Sequence, residues 1–181
     1  MDKLPGQKFS TDDFLSDSIN SKYYTAGEFV SLNVSKNNFS VFHLNIASLQ
    51  KHIDDLRAFL HNLKVKFKII CISETRLHDT PLINVDIDGY SFVHTPTSSQ
   101  CGGTGMYISN DLEYEILEEF SISHHNVSES TFVEIKNKNK KNIIVGAVYR
   151  HHSAVSEFLE TFLRPSLQKN HKTEQNLYFW R

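Results

Sequence analysis

Three polar side chains each stand where an apolar run of strand length stops. Asn45 closes Phe39-Ser-Val-Phe-His-Leu. Glu74 closes Lys68-Ile-Ile-Cys-Ile-Ser, and Tyr149-Arg150 closes Ile143 to Val148. An amide and a carboxylate held together suit a hard divalent cation and a phosphate ester. A tyrosine hydroxyl and an arginine suit a phosphate oxygen. Each residue also has a plainer reading. Glu74 could pair with a loop cation, Asn45 could close its strand by bonding backbone, and Tyr149 could cap the core with Arg150 in water.

The spacing between Asn45 and Glu74 weighs against coincidence. Leu49, Ile53, Leu56, Leu60 and Leu63 recur at three- and four-residue steps, which is one face of a helix. Ser48 is placed to cap it. Lys51, Asp54, Asp55 and Arg57 fall on the solvated side. Strand, crossover helix and parallel strand bring both polar groups to neighbouring carboxyl ends, where open α/β sheets build ligand sites.

Other chemistries find no support. The adjacent pairs His124-His125 and His151-His152 would face opposite ways on a strand, so neither is a ready metal clamp. No Gly-x-Ser-x-Gly elbow is present. Gly102-Gly-Thr-Gly105 is not followed by the Lys of a phosphate-binding loop, and it more simply admits a tight entry into the next strand.

The remaining elements follow in order. Residues 1–37 are a polar leader, partly disordered, with an aromatic cluster at Tyr23-Tyr24 and Phe29-Val30 that could dock on the domain. Residues 38–181 are the domain. Phe67 to Ser73 is apolar enough for a strand covered on both faces. Thr75 to Gly89 is a long loop, Gly89 to His94 a strand, and Thr104 to Ser109 another. Leu112, Tyr114 and Ile116 alternate with acids, as in a half-buried strand. Ser130–Lys136 and Asn142–Tyr149 form a hairpin across a lysine-rich tip. Val155, Phe158, Leu159, Phe162 and Leu163 mark a second helix, ended by Pro165. Gln175 to Arg181 begins another strand. Both kinds of strand pairing with helices to cover them make a layered α/β sandwich.

With 181 residues, 39% hydrophobic, the chain can bury one core and not two large ones. Nineteen basic against 21 acidic residues leave a net charge of −2, without the basic excess of many nucleic-acid binders. Cys71 lies inside an apolar run and Cys101 in a loop, so they suggest neither a disulfide framework nor a zinc site. An intracellular, reducing location follows. No apolar run approaches a membrane span.

Four segments in order and spacing carry a family likeness: His43-Leu-Asn45-Ile-Ala-Ser48, Ile72-Ser-Glu74-Thr, Gly102-Gly-Thr-Gly-Met-Tyr-Ile108 and Val145-Gly-Ala-Val-Tyr149-Arg150. Together they resemble the endonuclease/exonuclease/phosphatase (DNase I-like) superfamily. The nearest likeness is to the apurinic-endonuclease-like domain of non-LTR, LINE-type retrotransposons. The resemblance implies a four-layered α/β sandwich with two facing mixed sheets. It implies phosphodiester hydrolysis with Mg²⁺, or Mn²⁺ in its place, and DNA as partner. Glu74 matches the family's metal-binding Glu. Asn45 matches an Asn that positions metal and phosphate, and Tyr149 a Tyr that bonds the scissile phosphate. Arg76 and Arg150 are then candidates for substrate contact.

The match is partial. The family's Gly-Asp-x-Asn motif should follow the strand begun by Leu177, and its Ser-Asp-His motif should come later; neither occurs in these 181 residues. The usual Tyr-Arg-Pro-Pro is Tyr149-Arg-His-His152, and Arg76 stands where a Trp is common. The expectation is therefore an N-terminal part of a retrotransposon-type DNA endonuclease, incomplete at its C-terminal sheet and inactive alone. Such a domain is normally continuous with the rest of the nuclease and a reverse transcriptase. Two alternatives remain: a phosphatase or sphingomyelinase-like member acting on small phosphoesters, and a non-enzymatic remnant of a degenerate element.

Overall fold

The computed structural model describes residues 22–32, 38–80, 84–138 and 141–152, and the backbone of 176–180. The chain forms two compact units, Met1–Asn33 and Val34–Arg181. In the first, α1 (Ala26–Ser31) is a short helix with a capping box: Thr25 accepts from the Glu28 amide while the Glu28 carboxylate accepts from the Thr25 amide. No α1 residue is buried, and Tyr23 is 96% exposed.

The second unit holds two sheets. The first has the order β1-β2-β4-β3, from β1 (Val41–Asn45), β2 (Ile69–Ser73), β3 (Tyr90–Thr95) and β4 (Thr104–Ser109). β1 and β2 are parallel, with Asn45 opposite Ser73. β4 runs antiparallel to both β2 and β3. The second sheet has the order β5-β7-β8-β9, from β5 (Tyr114–Ile116), β7 (Ser128–Ile135), β8 (Ile143–Arg150) and β9 (Asn176–Trp180), with β6 (Ser123–His124) also on β7. β9 joins β8 in parallel, as a crossover connection requires. The strand expected from Gln175 onward is thus present in backbone. The helix expected over Val155 to Leu163 lies outside the described residues, as do residues 1–20.

The sheets pack face to face. Ile69, Cys71, Val93, Met106 and Ile108 of the first meet Val133, Ile135, Val145 and Ala147 of the second in one buried cluster. Alternate residues turn outward. On the first sheet's outer face, Phe42 stacks near Phe67 and meets Phe59 of α2 (Leu49–Leu63). α2 buries Leu49, Ile53, Leu56 and Leu63, the stripe its periodicity predicts. On the second sheet's outer face, Phe120, Phe132, Ile144 and Val148 form a separate cluster. A mixed α/β sandwich with two facing sheets is the result.

Two local expectations are corrected, and one strand pairing is new. Ser48 makes no side-chain cap; its φ of 115° turns the hydroxyl away, and loop carbonyls cap α2 instead. Ile116 is exposed, because it ends β5, a three-residue strand at the edge of its sheet. β6 adds a pairing that no alternation announced, since two residues carry no period.

Gly146 faces Phe132 across the β7–β8 pair, and a Cβ there would lie 2.3 Å from a ring carbon. The ring fills the space a side chain would take. Gly146→Ala is expected to lower unfolding free energy by about 1–3 kcal/mol, the usual cost of overpacking. Urea denaturation of the two proteins checks it.

Candidate active site

The site forms because β1 and β2 end in register. The Asn45 amide Nδ2 donates to Glu74 Oε1 at 2.8 Å. Its Oδ1 accepts from the Ala47 amide at 3.3 Å. Backbone bonds lock the two strand ends together: Ile46 N to Ser73 O, Ser48 N to Glu74 O and Leu49 N to Thr75 O, at 2.9–3.0 Å. The last two satisfy amides at the start of α2 that no side chain serves.

From the other side, Gly102 and Gly103 clamp the same segment. Thr75 N donates to Gly103 O, and Arg76 N to Gly102 O. Gly103 has φ of +82°, and a Cβ there would lie 2.4 Å from Thr75 Oγ1. Both its conformation and the close approach demand glycine. Ala47, Ser48, Glu74 and Arg76 all have positive φ. Such strain persists only where surroundings impose it, and it gathers at functional sites.

Beyond Arg76, the long loop is tied down from below. Arg57 of α2 donates Nε and Nη2 to Asp86 O, and Tyr107 donates its hydroxyl to Val85 O.

Tyr149 comes from the other sheet. It lies on the inner face of β8, in phase with Val145 and Ala147 of the central core. Its hydroxyl is pushed up to about 12 by burial, then by the charge of Glu74 and by Cys101. The phenol therefore stays protonated and acts as a donor at neutral pH. Arg76 Nη2 stands 3.8 Å from Glu74 Oε2, with its side chain partly in water. Asn45, Glu74, Arg76 and Tyr149 thus share one rim. Alternation sets Arg150 on the opposite face of β8, the side of Ile144 and Val148.

The donors available to a metal are the Glu74 carboxylate and the Asn45 amide oxygen. Both are hard oxygen donors, and Mg²⁺ commonly takes one or two carboxylates while keeping waters and substrate oxygens. The pair fits that role. Among the described residues, no group of three His, Cys, Asp or Glu side chains could hold an ion.

Beside the rim lies a cluster that the sequence did not announce. Glu129 is wholly buried and both its oxygens lie 3.1 Å from His151 Nε2. Glu129 Oε1 also accepts from Thr97 Oγ1 at 2.9 Å. The only signal was weak: an acid opening an apolar strand, and a histidine just past the end of another.

No family model matches the chain, and no curated protein matches it. Solved structures do match in fold. AP endonuclease LMAP from Leishmania major superposes with a TM-score of 0.53 at 19% identity, over 91% of this chain and 56% of that one. D. rerio TDP2 complexed with a single-strand DNA product gives 0.51 at 14% identity, over 78% of this chain and 58% of that one. The chain thus spans under two thirds of the length of these structures. The chain thus shares its fold with these two structures. Among the described residues, no helix is long and apolar enough to cross a membrane.

Two half-buried histidines give the domain an acid limit. Burial holds His43 and His94 below the ordinary histidine value, the latter in part offset by Asp79. The unfolded chain takes up a proton near pH ~6.5 while the folded site resists it. Stability is therefore full above that pH and falls as pH drops below it. Urea midpoints are expected to decline from about pH 7.5 to 5, and less steeply in His43→Gln.

Proposed function

We propose that this chain carries the metal- and phosphate-holding side of a Mg²⁺-dependent phosphodiesterase site, of the retrotransposon DNA-endonuclease kind. The observation that carries the reading is the Asn45–Glu74 bond at a parallel strand edge, with the protonated Tyr149 phenol facing it from the second sheet. The four motifs in register support the family, and the fold shared with an AP endonuclease and a DNA-bound TDP2 is consistent with DNA as substrate.

In this reading Glu74 holds the ion and Asn45 fixes the Glu74 carboxylate by donating to Oε1. Tyr149 donates to a non-bridging phosphate oxygen, and Arg76 offsets charge at the open side. When bound, the ion would polarise the phosphoryl oxygen and neutralise charge. No residue described here is placed as general base, and the Gly-Asp-x-Asn and Ser-Asp-His motifs do not occur in these 181 residues. Loss of general-base chemistry alone costs on the order of 10²–10⁴ in rate. The sparse donor set also favours a second reading, a chain that binds a phosphate diester without cleaving it.

Isothermal titration with Mg²⁺ and Mn²⁺ is expected to show one weak site that Glu74→Gln abolishes. Binding that is unchanged in Glu74→Gln contradicts the proposed ligand. In a Mg²⁺-dependent plasmid-nicking assay the chain alone should stay near background. Robust nicking that Glu74→Gln removes would instead show a complete site within these residues.

A further inference from the structure

Cys101 sits, half-buried, in the loop that leads into Gly102-Gly103. Its carbonyl accepts from Ser99 Oγ at 3.0 Å, so the backbone around it is fixed. Its Sγ lies 3.8 Å from His151 Nδ1. The other ring nitrogen, Nε2, faces both oxygens of Glu129. A nitrogen facing a carboxylate carries the proton, which leaves Nδ1 as the acceptor turned to the thiol. Glu129 is held in turn by Thr97. The order is thiol, imidazole, carboxylate, each member oriented by the next.

That is the arrangement that activates a nucleophile: a side chain beside a base, with a third group fixing the base's tautomer. The surroundings are built for it. Glu129 and His151 are buried side chains, 0% and 5% exposed, so their bond is shielded from water. Gly102 has φ of +99°, and a Cβ there would lie 2.7 Å from Glu129 Oε2 and 3.0 Å from His151 Nε2. Only glycine lets the loop close over the pair. On the remaining side, Tyr149 packs its ring edge-on to His151 at 5.1 Å. The charged and titratable groups facing the thiol are therefore His151, Glu129 behind it, and Tyr149 with Glu74 beyond.

We propose that Cys101, oriented by His151 and Glu129, is a nucleophilic thiol that reduces hydroperoxides and is itself converted to a sulfenic acid beside Tyr149. His151 Nδ1 takes the thiol proton. The sulfur attacks one peroxide oxygen, an S–O bond forms and the O–O bond breaks. The departing oxyanion takes the proton from Nδ1 and leaves as water from hydrogen peroxide, or as the alcohol from an organic hydroperoxide. Sulfur is oxidised by two electrons, the peroxide is reduced, and His151 returns to its neutral form. Cys71, wholly buried in the core and with its thiol pushed up to about 12 by burial, takes no part. Oxidation would change the surroundings of His151, on which the Tyr149 ring packs, and so would alter the phosphate-facing rim; that consequence alone rests on the function proposed above.

The test needs no enzymatic activity. The full chain is treated with hydrogen peroxide and dimedone near pH ~6, where an ordinary thiol reacts slowly, and labelling is followed by peptide mass spectrometry. Cys101 in the folded chain should label at least about fivefold faster than the same cysteine in the urea-unfolded chain, with Cys71 unlabelled when folded. Any smaller ratio overturns the proposal and leaves the Glu129–His151 pair as a loop tether. In His151→Asn, verified as folded by circular dichroism, labelling should fall to the unfolded rate. Retained fast labelling there overturns the assigned base. If that variant does not fold, the wild-type comparison alone decides.

Discussion

The parallel register of β1 and β2 is the constraint from which the site follows. It sets Asn45 opposite Ser73 and lets the Asn45 amide reach Glu74 one residue later. A slip of one residue would turn Asn45 to the outer face and break the contact. The register is held by burial: every residue of β2 is buried, and Val41 packs against the inner cluster while Phe42 stacks outward toward α2. Core packing and site geometry are therefore the same fact seen from two ends of the strands.

The second sheet contributes through the first. The inner cluster fixes which face of β8 looks inward, so Tyr149 must lie on the inner side and Arg150 on the outer. The glycine pair before β4 closes the remaining gap, because its carbonyls bond the amides of Thr75 and Arg76. The polar rim is thus bounded by three backbone segments that cannot move independently.

Much of this was legible from residues alone. The β1–α2–β2 unit announces itself by two apolar runs around a helical stripe, and the placement of Asn45 and Glu74 follows from that topology. The hairpin of β7 and β8 and the phase of Tyr149 were equally readable. What stayed hidden depended on tertiary contact. Glu129 and His151 carry no local motif, and their pairing exists only because β7 and β8 are antiparallel neighbours. Ser48 looked like a cap because of its type, yet the carbonyls of Glu74 and Thr75 took that role. The capping box of α1 could have been read, since Thr25 and Glu28 have the required spacing.

The central claim is that residues from two sheets converge on one cation-binding rim. Paramagnetic line broadening by Mn²⁺ tests it most directly, because broadening falls off steeply with distance from the ion. Substoichiometric Mn²⁺ should broaden the side-chain resonances of Asn45 and Tyr149 together, before those of the distal lysines near the β7–β8 tip, and Glu74→Gln should abolish the effect. Broadening centred elsewhere, or an Asn45 signal lost while Tyr149 stays sharp, would contradict the account.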